Sequence, residues 1–415
     1  MLYQTIELQR IIANQVSKLA DVGVTLLRGH EGPVARLARA NCALLHRITR
    51  SYDKPSFGIA ALEAHGREVT IVEETVSVRP FCRLVRFTRC SDDPTTAAAL
   101  ARDPRVLVCA PLSGHHPTLL RDTIAKLLHE HDVYITDWVD ARDVPVAEGP
   151  FRLADYVTWI QEFIRELGAA DLHVLAVCQP TVPVLAAVAL LASAGEPTPR
   201  TLTLMGGPVD ARITPTAVNR LATDRPLRWF ESHMIHRVPF NHAGRGRAVY
   251  PGFLQLTAFV AMNPMRHADA YRTYWFDHLR GAEGEAATLV HERFYDEYNA
   301  VLDMDAAYYL DTVKTVFQEF SLARGTWRIN GTLVVPAAIT QTAVFTIEGA
   351  HDDISGLGQT AAAHTLCTGI PEHRRRHFVA EGCGHYGLFS GHRWRDTIYP
   401  EVHAFIRTHA REAST

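Results

Sequence analysis

A run of apolar residues from Leu172 to Val177, broken only by His173, leads straight into Cys178. After Gln179-Pro180-Thr181 a longer apolar run extends from Val182 to Ala194. A short run of this kind reads as a buried strand and a long one as a buried helix, with a tight turn between them. A strand buried on both faces and followed at once by a helix belongs to a parallel sheet covered by helices. The flanking sequence repeats the unit. Val106–Pro111 reads as a strand, followed by the loop Leu112–Pro117 and a helix from Leu119 to His129. His131–Trp138 is another strand, and Asp155 is placed to cap a helix carrying Val157, Ile160, Phe163, Ile164 and Leu167. Thr201–Met205 is a strand closed by the breaker pair Gly206-Gly207. Strand–helix alternation through residues 105–208 is the mark of an α/β chain with a mostly parallel sheet.

The flanks of this region read differently. Val69–Val78 and Phe81–Phe87 have strand character and suit antiparallel strands leading into the sheet, with the turn-rich Ser91–Pro94 after them. Before them, Leu2, Ile6, Leu8, Ile12, Val16 and Leu19, then Leu37, Ala40, Leu44 and Leu45 beyond Gly29–Pro33, recur at helical spacing. Residues 1–50 are therefore expected as helices packed on the core; a lid or a dimerisation arm are the other readings. The stretch 209–335 breaks the alternation and is rich in aromatics: Trp229, Phe230, Phe240, Tyr250, Phe253, Phe259, Tyr271, Tyr274, Trp275 and Phe276. Asp296–Phe320 reads as one helix, and Gly246–Gly252 as a mobile segment near an entrance. Ala343–Glu348 and His377–Ala380 are the last strands, Ile398–His409 a closing helix, and Arg411–Thr415 a frayed tail. The organisation expected is a core begun by residues 1–208, a cap insertion at 209–335 and a core completed by 336–415. The cap aromatics are expected mainly as its own core, with some lining a cleft.

Composition removes several functions. Forty-five acidic residues nearly balance 42 basic ones, for a formal charge of −3, so no polyanion-binding surface is expected and nucleic acid is not a predicted partner. The 22 histidines are scattered, and the seven cysteines form no CxxC, so neither a zinc site nor a disulfide framework is expected. The glycines form no nucleotide-binding pattern, and no metal or cofactor is predicted. No run reaches ~18 uninterrupted apolar residues, the length a membrane span needs. The N-terminal residues carry Glu7 and Arg10 and lack the form of a secretory leader. A cytoplasmic protein is expected.

Three dispersed sites then form one chemical set: Cys178 at the end of its strand, Asp352-Asp353 just past the strand at 343–348, and His385 in the glycine-rich loop after the last strand. Each alone is ordinary, since a strand-end cysteine is more often a small buried hydrophobe. Together they run nucleophile, acid, histidine, the chain order of the α/β-hydrolase fold, which is the fold predicted. Acyl transfer needs those roles. A thiol gives up its proton more readily than a hydroxyl, a histidine moves that proton, and a carboxylate fixes the histidine's tautomer. Asp352 is the expected acid and Asp353 its alternative. The Gln179 backbone N–H, next after the nucleophile, is the expected first oxyanion donor. A donor in the loop at Ser113 or Gly114 is the second. Ala176 and Pro180 stand where a G-x-S-x-G turn has glycines. Alanine is small, and proline tolerates an early helical position.

These residues resemble a known family. Val177-Cys178-Gln179-Pro180-Thr181-Val182-Pro183-Val184 is similar to the nucleophile segment of intracellular polyhydroxyalkanoate (polyhydroxybutyrate) depolymerases. So are Pro111–His115, Asp352–Thr360, Gly384–Gly391 and Met1-Leu2-Tyr3-Gln4, spread over nearly the whole chain. The resemblance implies a cysteine hydrolase that cleaves esters of stored short-chain poly(3-hydroxyalkanoate) at the granule surface, releasing hydroxyacid monomers or oligomers. Cys178 and His385 carry over as nucleophile and histidine. Two other functions stay open at this point: a polyhydroxyalkanoate synthase-like acyltransferase, which passes the acyl group to a polymer hydroxyl, and a non-catalytic granule-binding protein. A homodimer through the N-terminal or cap helices is a further expectation.

Overall fold

A computed structural model describes residues 2–30 and 32–410, so the tail reading at 411–415 lies outside the described residues. Two helices come first, α1 (Leu2–Leu26) and α2 (Pro33–Thr49). Strands β1 (Ala61–Ala64), β2 (Arg67–Arg79) and β3 (Cys82–Cys90) follow, then the short helix α3 (Pro94–Leu100). The alternating region gives β4 (Arg105–Cys109), α4 (Arg121–Leu127), β5 (Asp132–Trp138), α5 (Leu153–Leu167), β6 (Leu172–Val177), α6 (Thr181–Ser193) and β7 (Thr201–Met205).

From β7 the chain leaves the sheet. It builds α7 (Ala217–Asp224), α8 (Leu227–Met234), β8 (His236–Arg237), β9 (Ala248–Tyr250), α9 (Gly252–Met262), α10 (Pro264–Arg280) and α11 (Glu285–Asn299). Then come β10 (Met304–Asp305), α12 (Ala306–Thr312) with a π-helical extension Val313–Gln318, and the hairpin β11 (Arg328–Ile329) and β12 (Thr332–Leu333). It returns as β13 (Ala343–Gly349) and β14 (Arg375–Ala380) and ends in the helix Tyr399–Ala410.

The main sheet has nine strands in the order β1-β2-β3-β5-β4-β6-β7-β13-β14. β1, β2 and β3 pair antiparallel, β3 joins β5 antiparallel, and every later pairing is parallel. This is the α/β-hydrolase arrangement. All six residues of β6 are buried, as are Thr181 through Leu191 of α6. A helix apolar on every side is buried on every side. Each fully buried Val or Leu contributes roughly 1.5–3 kcal/mol, so the sheet centre and α6 form the rigid base on which the site stands. Strand order reverses between β4 and β6, and ligands of open α/β sheets bind beyond the carboxyl ends at that point.

Several local readings differ. Asp155 is not the N-cap of α5. Arg152 holds that position, and the Asp155 carboxylate accepts its backbone N–H at 2.7 Å from the third helical position. The turn-rich Ser91–Pro94 opens α3, whose seven residues are too few to show a period. Its start was written in Asp93, which accepts the Thr96 N–H at 2.8 Å, and in Pro94 behind it. Strand β1 pairs with β2 across His65-Gly66, both at positive φ, as a tight hairpin demands.

Asp296–Phe320 is not one helix. It breaks at Ala300–Asp305, where Asp305 caps α12 by accepting the Ala307 N–H at 2.9 Å and Asp303 is drawn into the interior to accept from Gly252 N and Tyr3 Oη. Nor is Gly246–Gly252 a loose flap. It contains β9, paired to β8 and β10, and the buried Arg247 binds Asp305 at 2.8 Å and the Val144 carbonyl at 2.9 Å.

The N-terminal helices pack against the segment between β7 and β13 and not on the sheet. Arg47, buried on α2, pairs with Asp296 at 2.5 Å, Trp275 donates to Asn41 at 2.9 Å, and Tyr3 donates to Asp303 at 2.5 Å. Most of the apolar residues that suggested core packing, Leu8, Ile12 and Leu19 among them, remain exposed.

Candidate active site

Cys178 stands where β6 ends and α6 has yet to begin, with φ +66°. That left-handed conformation is rare for a residue with a Cβ and is held only where its surroundings fix it. Here the Cys178 N–H donates to the Met205 carbonyl at 2.7 Å, and its carbonyl accepts the Thr181 N–H at 3.1 Å. The turn lifts the thiol off the sheet, partly exposed. By contrast Cys109, at the end of β4, is fully buried, and burial pushes its thiol pKa far up.

Glycine relief at this turn comes from an adjacent strand. Gly206 and Gly207 follow β7, next to β6 in the sheet. A Cβ on Gly207 would lie 1.9 Å from Thr181 Oγ1 and 2.4 Å from the Cys178 carbonyl. Gly206 takes φ +56°, and a Cβ there would meet Leu388 at 2.6 Å and approach Asp352 and His385. Sequence reading took this pair only as a strand terminator.

Asp352 and His385 come from the loops after β13 and β14. Asp352 Oδ2 lies 2.8 Å from His385 Nδ1, while its Oδ1 accepts from Ile354 N at 2.9 Å and Ser355 N at 2.8 Å. Both side chains are buried. Asp353 is exposed, and His385 bonds to Asp352. Burial opposes a charge on His385. The charges of Cys178 and Asp352, and hydrogen bonds to both, outweigh it and raise the His385 pKa well above its ordinary value. The three residues thus share one electrostatic unit.

An apolar cavity of about 390 Å³ opens beside them. Cys178, Gln179, Ser113 and His385 line it together with Phe230, Tyr250, Phe259, Tyr308, Tyr309 and Phe317. Of the aromatics singled out above, only some reach it. Trp275 bonds to α2, Tyr271 and Tyr274 pack with His291 and Tyr295 between α10 and α11, and Phe240 is exposed. Among the described backbone hydrogen bonds, none uses the Gln179 N–H, which leaves it for a ligand. On the facing loop Ser113 reaches the cavity, whereas Gly114, at φ +116°, packs so closely on Gln255 that a Cβ would lie 2.4 Å from its Oε1. The Gly114 carbonyl accepts from Leu302 N at 2.8 Å, tying this loop to the segment between β7 and β13. His115 is no second base. It stacks on Phe259, meets the Tyr298 carbonyl at 3.1 Å, and burial lowers its pKa to about 4.

Among the described residues no group of three or more His, Cys, Asp or Glu side chains is arranged to hold a metal ion, and no helix is long and apolar enough to cross a membrane.

Residues 206–410 match the family model described as PHB de-polymerase C-terminus; the match contains Asp352 and His385 and begins after Cys178. No curated protein matches the chain. Among solved structures, a putative lipase from Acinetobacter baumannii AYE is 12% identical with a TM-score of 0.42, over 81% of this chain and 92% of that one. A membrane phospholipase A, described as a bacterial virulence factor, is 12% identical with a TM-score of 0.44, over 99% and 100%. A 2-hydroxy-6-oxo-6-phenylhexa-2,4-dienoate hydrolase from Rhodococcus sp. strain RHA1 is 15% identical with a TM-score of 0.40, over 82% and 99%. The fold is assigned from the strand order and not from these distant likenesses.

Proposed function

We propose, for a chain that belongs to the polyhydroxybutyrate depolymerase family and is a carboxylic ester hydrolase, that it hydrolyses poly(3-hydroxybutyrate) or a similar short-chain polyester through an acyl-enzyme on Cys178. One observation carries the reading: a cysteine held at φ +66° at the mouth of an apolar cavity, beside a buried histidine bonded to a buried aspartate at 2.8 Å. A strained residue at such a place is a functional signal.

In this mechanism His385 Nε2 takes the Cys178 proton and the thiolate attacks an ester carbonyl. The Gln179 N–H and a donor of the Ser113-Gly114 loop hold the oxyanion. The intermediate collapses as His385 returns its proton to the departing alkoxide, which leaves as the hydroxyl end of the shortened chain. The 3-hydroxyacyl thioester is then attacked by water, whose proton His385 accepts and passes to the Cys178 sulfur as the free acid departs. Asp352 holds the imidazole in the tautomer these transfers need. Ester and water enter, acid and alcohol leave, and the enzyme is restored. Residues 209–335 act as a cap whose aromatics form the apolar wall for the polymer chain.

Granule association in the cytoplasm completes the reading, supported by the family. Ile12, Leu19 and Leu26 lie seven residues apart and exposed along α1, a spacing that suits a second copy of the same helix. A homodimer is proposed on that ground, and light scattering of the wild type and Leu19→Glu tests it.

The deciding experiment incubates wild type, Cys178→Ala and Cys178→Ser with amorphous short-chain polymer, and separately with 3-hydroxyacyl-CoA. Free hydroxyacid from polymer without CoA, lost in Cys178→Ala, is the expected result. Polymer growth from the CoA ester makes the enzyme an acyltransferase instead. Polymer binding with no turnover by wild type makes it a granule-binding protein.

A further inference from the structure

The cavity beside Cys178 is walled mostly by carbon, yet two polar side chains in it, Tyr308 and Gln179, approach each other without forming a well-aligned hydrogen bond. Tyr308, on α12, is 1% exposed, and its hydroxyl makes no hydrogen bond of acceptable geometry. The same holds for both Oε1 and Nε2 of Gln179. The two residues line the same cavity as Cys178 and His385. They also sense each other and the thiol. Burial raises the Tyr308 pKa, loose hydrogen bonds to the Gln179 and Thr312 side chains lower it, and a charge on Cys178 raises it further. Buried polar groups are paired in nearly all native structures. Two poorly satisfied polar groups that face one cavity beside a nucleophile are therefore groups whose well-aligned partner arrives with the ligand. A third feature falls at the same place: α12 runs into the π-helical turn Val313–Gln318, and Thr312, Val313 and Phe317 reach the cavity. Such turns recur at functional sites.

The chemistry of a 3-hydroxyacyl chain says which partner this is. In the acyl group that Cys178 receives, the next oxygen beyond the carbonyl sits on C3. In an internal residue of the polymer that oxygen belongs to another ester and donates nothing. In the residue at the hydroxyl end it is a free hydroxyl, one donor and an acceptor together. A phenol that donates and an amide oxygen that accepts satisfy such a hydroxyl completely. An ester oxygen leaves the Gln179 Oε1 stranded. The remaining methyl and methylene carbons suit the walls formed by Phe230 and Phe259.

We infer that Tyr308 and the Gln179 side chain form a subsite for the free 3-hydroxyl of the acyl residue, so that the enzyme works from the hydroxyl end of the chain and releases monomers one at a time. This rests on the hydrolase reading above and adds to it a direction of attack. A site built to bond a hydroxyl rejects the analogue that lacks it far more strongly than an apolar pocket rejects an extra group.

The test compares p-nitrophenyl 3-hydroxybutyrate with p-nitrophenyl butyrate, and a 3-hydroxybutyrate trimer with the same trimer O-methylated at its hydroxyl end. Each is given to wild type and to Tyr308→Phe. The wild type is expected to favour the hydroxylated ester by about 10⁴-fold in kcat/KM and to cut the capped trimer slowly. In Tyr308→Phe that preference falls by about tenfold, carried mainly in KM, because the loss on the hydroxylated ester exceeds any loss on the butyrate ester. The wild-type comparison stands whether or not the variant folds. Equal rates on capped and free trimers, or an equal loss on both esters in Tyr308→Phe, overturn the subsite. Those outcomes leave the hydrolase reading intact. If wild type cleaves neither ester nor trimer, that reading falls and the subsite with it.

Discussion

Asp352→Asn is the sharpest probe of the site, because it changes one atom while preserving most of the contacts. Asp352 Oδ1 receives the backbone N–H groups of Ile354 and Ser355, and its Oδ2 receives His385 Nδ1 at 2.8 Å. An asparagine keeps its carbonyl oxygen on the two amides, so the loop after β13 stays in place. Its NH2 then faces His385 Nδ1. A donor against a donor is unfavourable, and the imidazole shifts to the tautomer with Nδ1 bare and Nε2 protonated. In that form Nε2 cannot accept the Cys178 proton. Because both side chains are buried, water does not rescue the geometry. The tautomer loss costs such triads about 10⁴ in kcat, or about 5.5 kcal/mol of transition-state stabilisation. The fold loses one charge-assisted hydrogen bond, about 1.5–3 kcal/mol. The assay is kcat on p-nitrophenyl butyrate together with a thermal melt. A folded Asp352→Asn enzyme within tenfold of wild type refutes the assignment. Asp353→Asn is the control, since Asp353 is exposed and lies outside the His385 hydrogen bond. It is expected within about threefold of wild type, as ordinary surface changes are, and a large loss there transfers the role to Asp353.

Three further expectations concern parts of the molecule with different roles. In Cys178→Ala, burial of His385 is opposed by Asp352 alone, so its pKa, followed by NMR of labelled histidine, moves down from the raised wild-type position; an unchanged titration contradicts the shared unit. Gly207→Ala drives a methyl into Thr181 and the Cys178 carbonyl and is expected to lose about 1–3 kcal/mol in urea unfolding along with most activity. A neutral effect on both shows that the turn does not need this close approach. Burial first, and then Asp303, raise the Asp140 carboxyl to about 8. The folded chain therefore holds a proton there that the unfolded chain releases near pH 4, so stability from this group is full below about pH 4 and falls as pH rises to 8. Urea midpoints at pH 5 and pH 8 should converge in Asp140→Asn relative to wild type, and an undiminished gap rules this carboxyl out as its source.

The parallel sheet was legible because each central strand is a short, mostly apolar run ended by a breaker, and the few polar residues in β4, β6, β7 and β13, such as His173, Thr203 and Thr346, are too sparse to blur the pattern. The chemical residues were legible for a related reason. They sit just past strand ends, where a cysteine, an aspartate and a histidine stand out from apolar surroundings. What sequence missed falls into two kinds. Elements too short to show a period, such as α3 and β1, were hidden although their caps and turn residues were present. Contacts across long separations were hidden altogether. Tyr3 bonding to Asp303, Arg47 to Asp296, and Arg247 to Asp305 decide where the N-terminal helices lie and why the helix near 300 breaks. Helical periodicity carries no trace of them. Tyr308 falls within the stretch 296–320 that reads only as helix; its hydroxyl acquires meaning only beside Gln179 in the folded chain.

The turn at Cys178 shows why a local motif is the wrong unit to read here. A residue with a side chain at φ +66° carries strain of about 1–3 kcal/mol, and a nucleophile turn must also pack against the loops that bring the acid and the histidine. In G-x-S-x-G, glycines at −2 and +2 relieve that crowding. Here those positions are Ala176, fully buried in β6, and Pro180, which enters the helix. Space is instead conceded by β7. Gly207 lets the Cys178 carbonyl pass, and Gly206 lets Leu388, Asp352 and His385 close over the turn. It follows that adding glycine at Ala176 cannot substitute for Gly206-Gly207, because the crowded atoms belong to Thr181, Leu388 and the Cys178 backbone and not to Ala176. The variant Ala176→Gly/Gly207→Ala should therefore remain as impaired as Gly207→Ala alone in both melting and turnover. Recovery to wild-type behaviour would place the strain within β6 and return the relief to the turn itself.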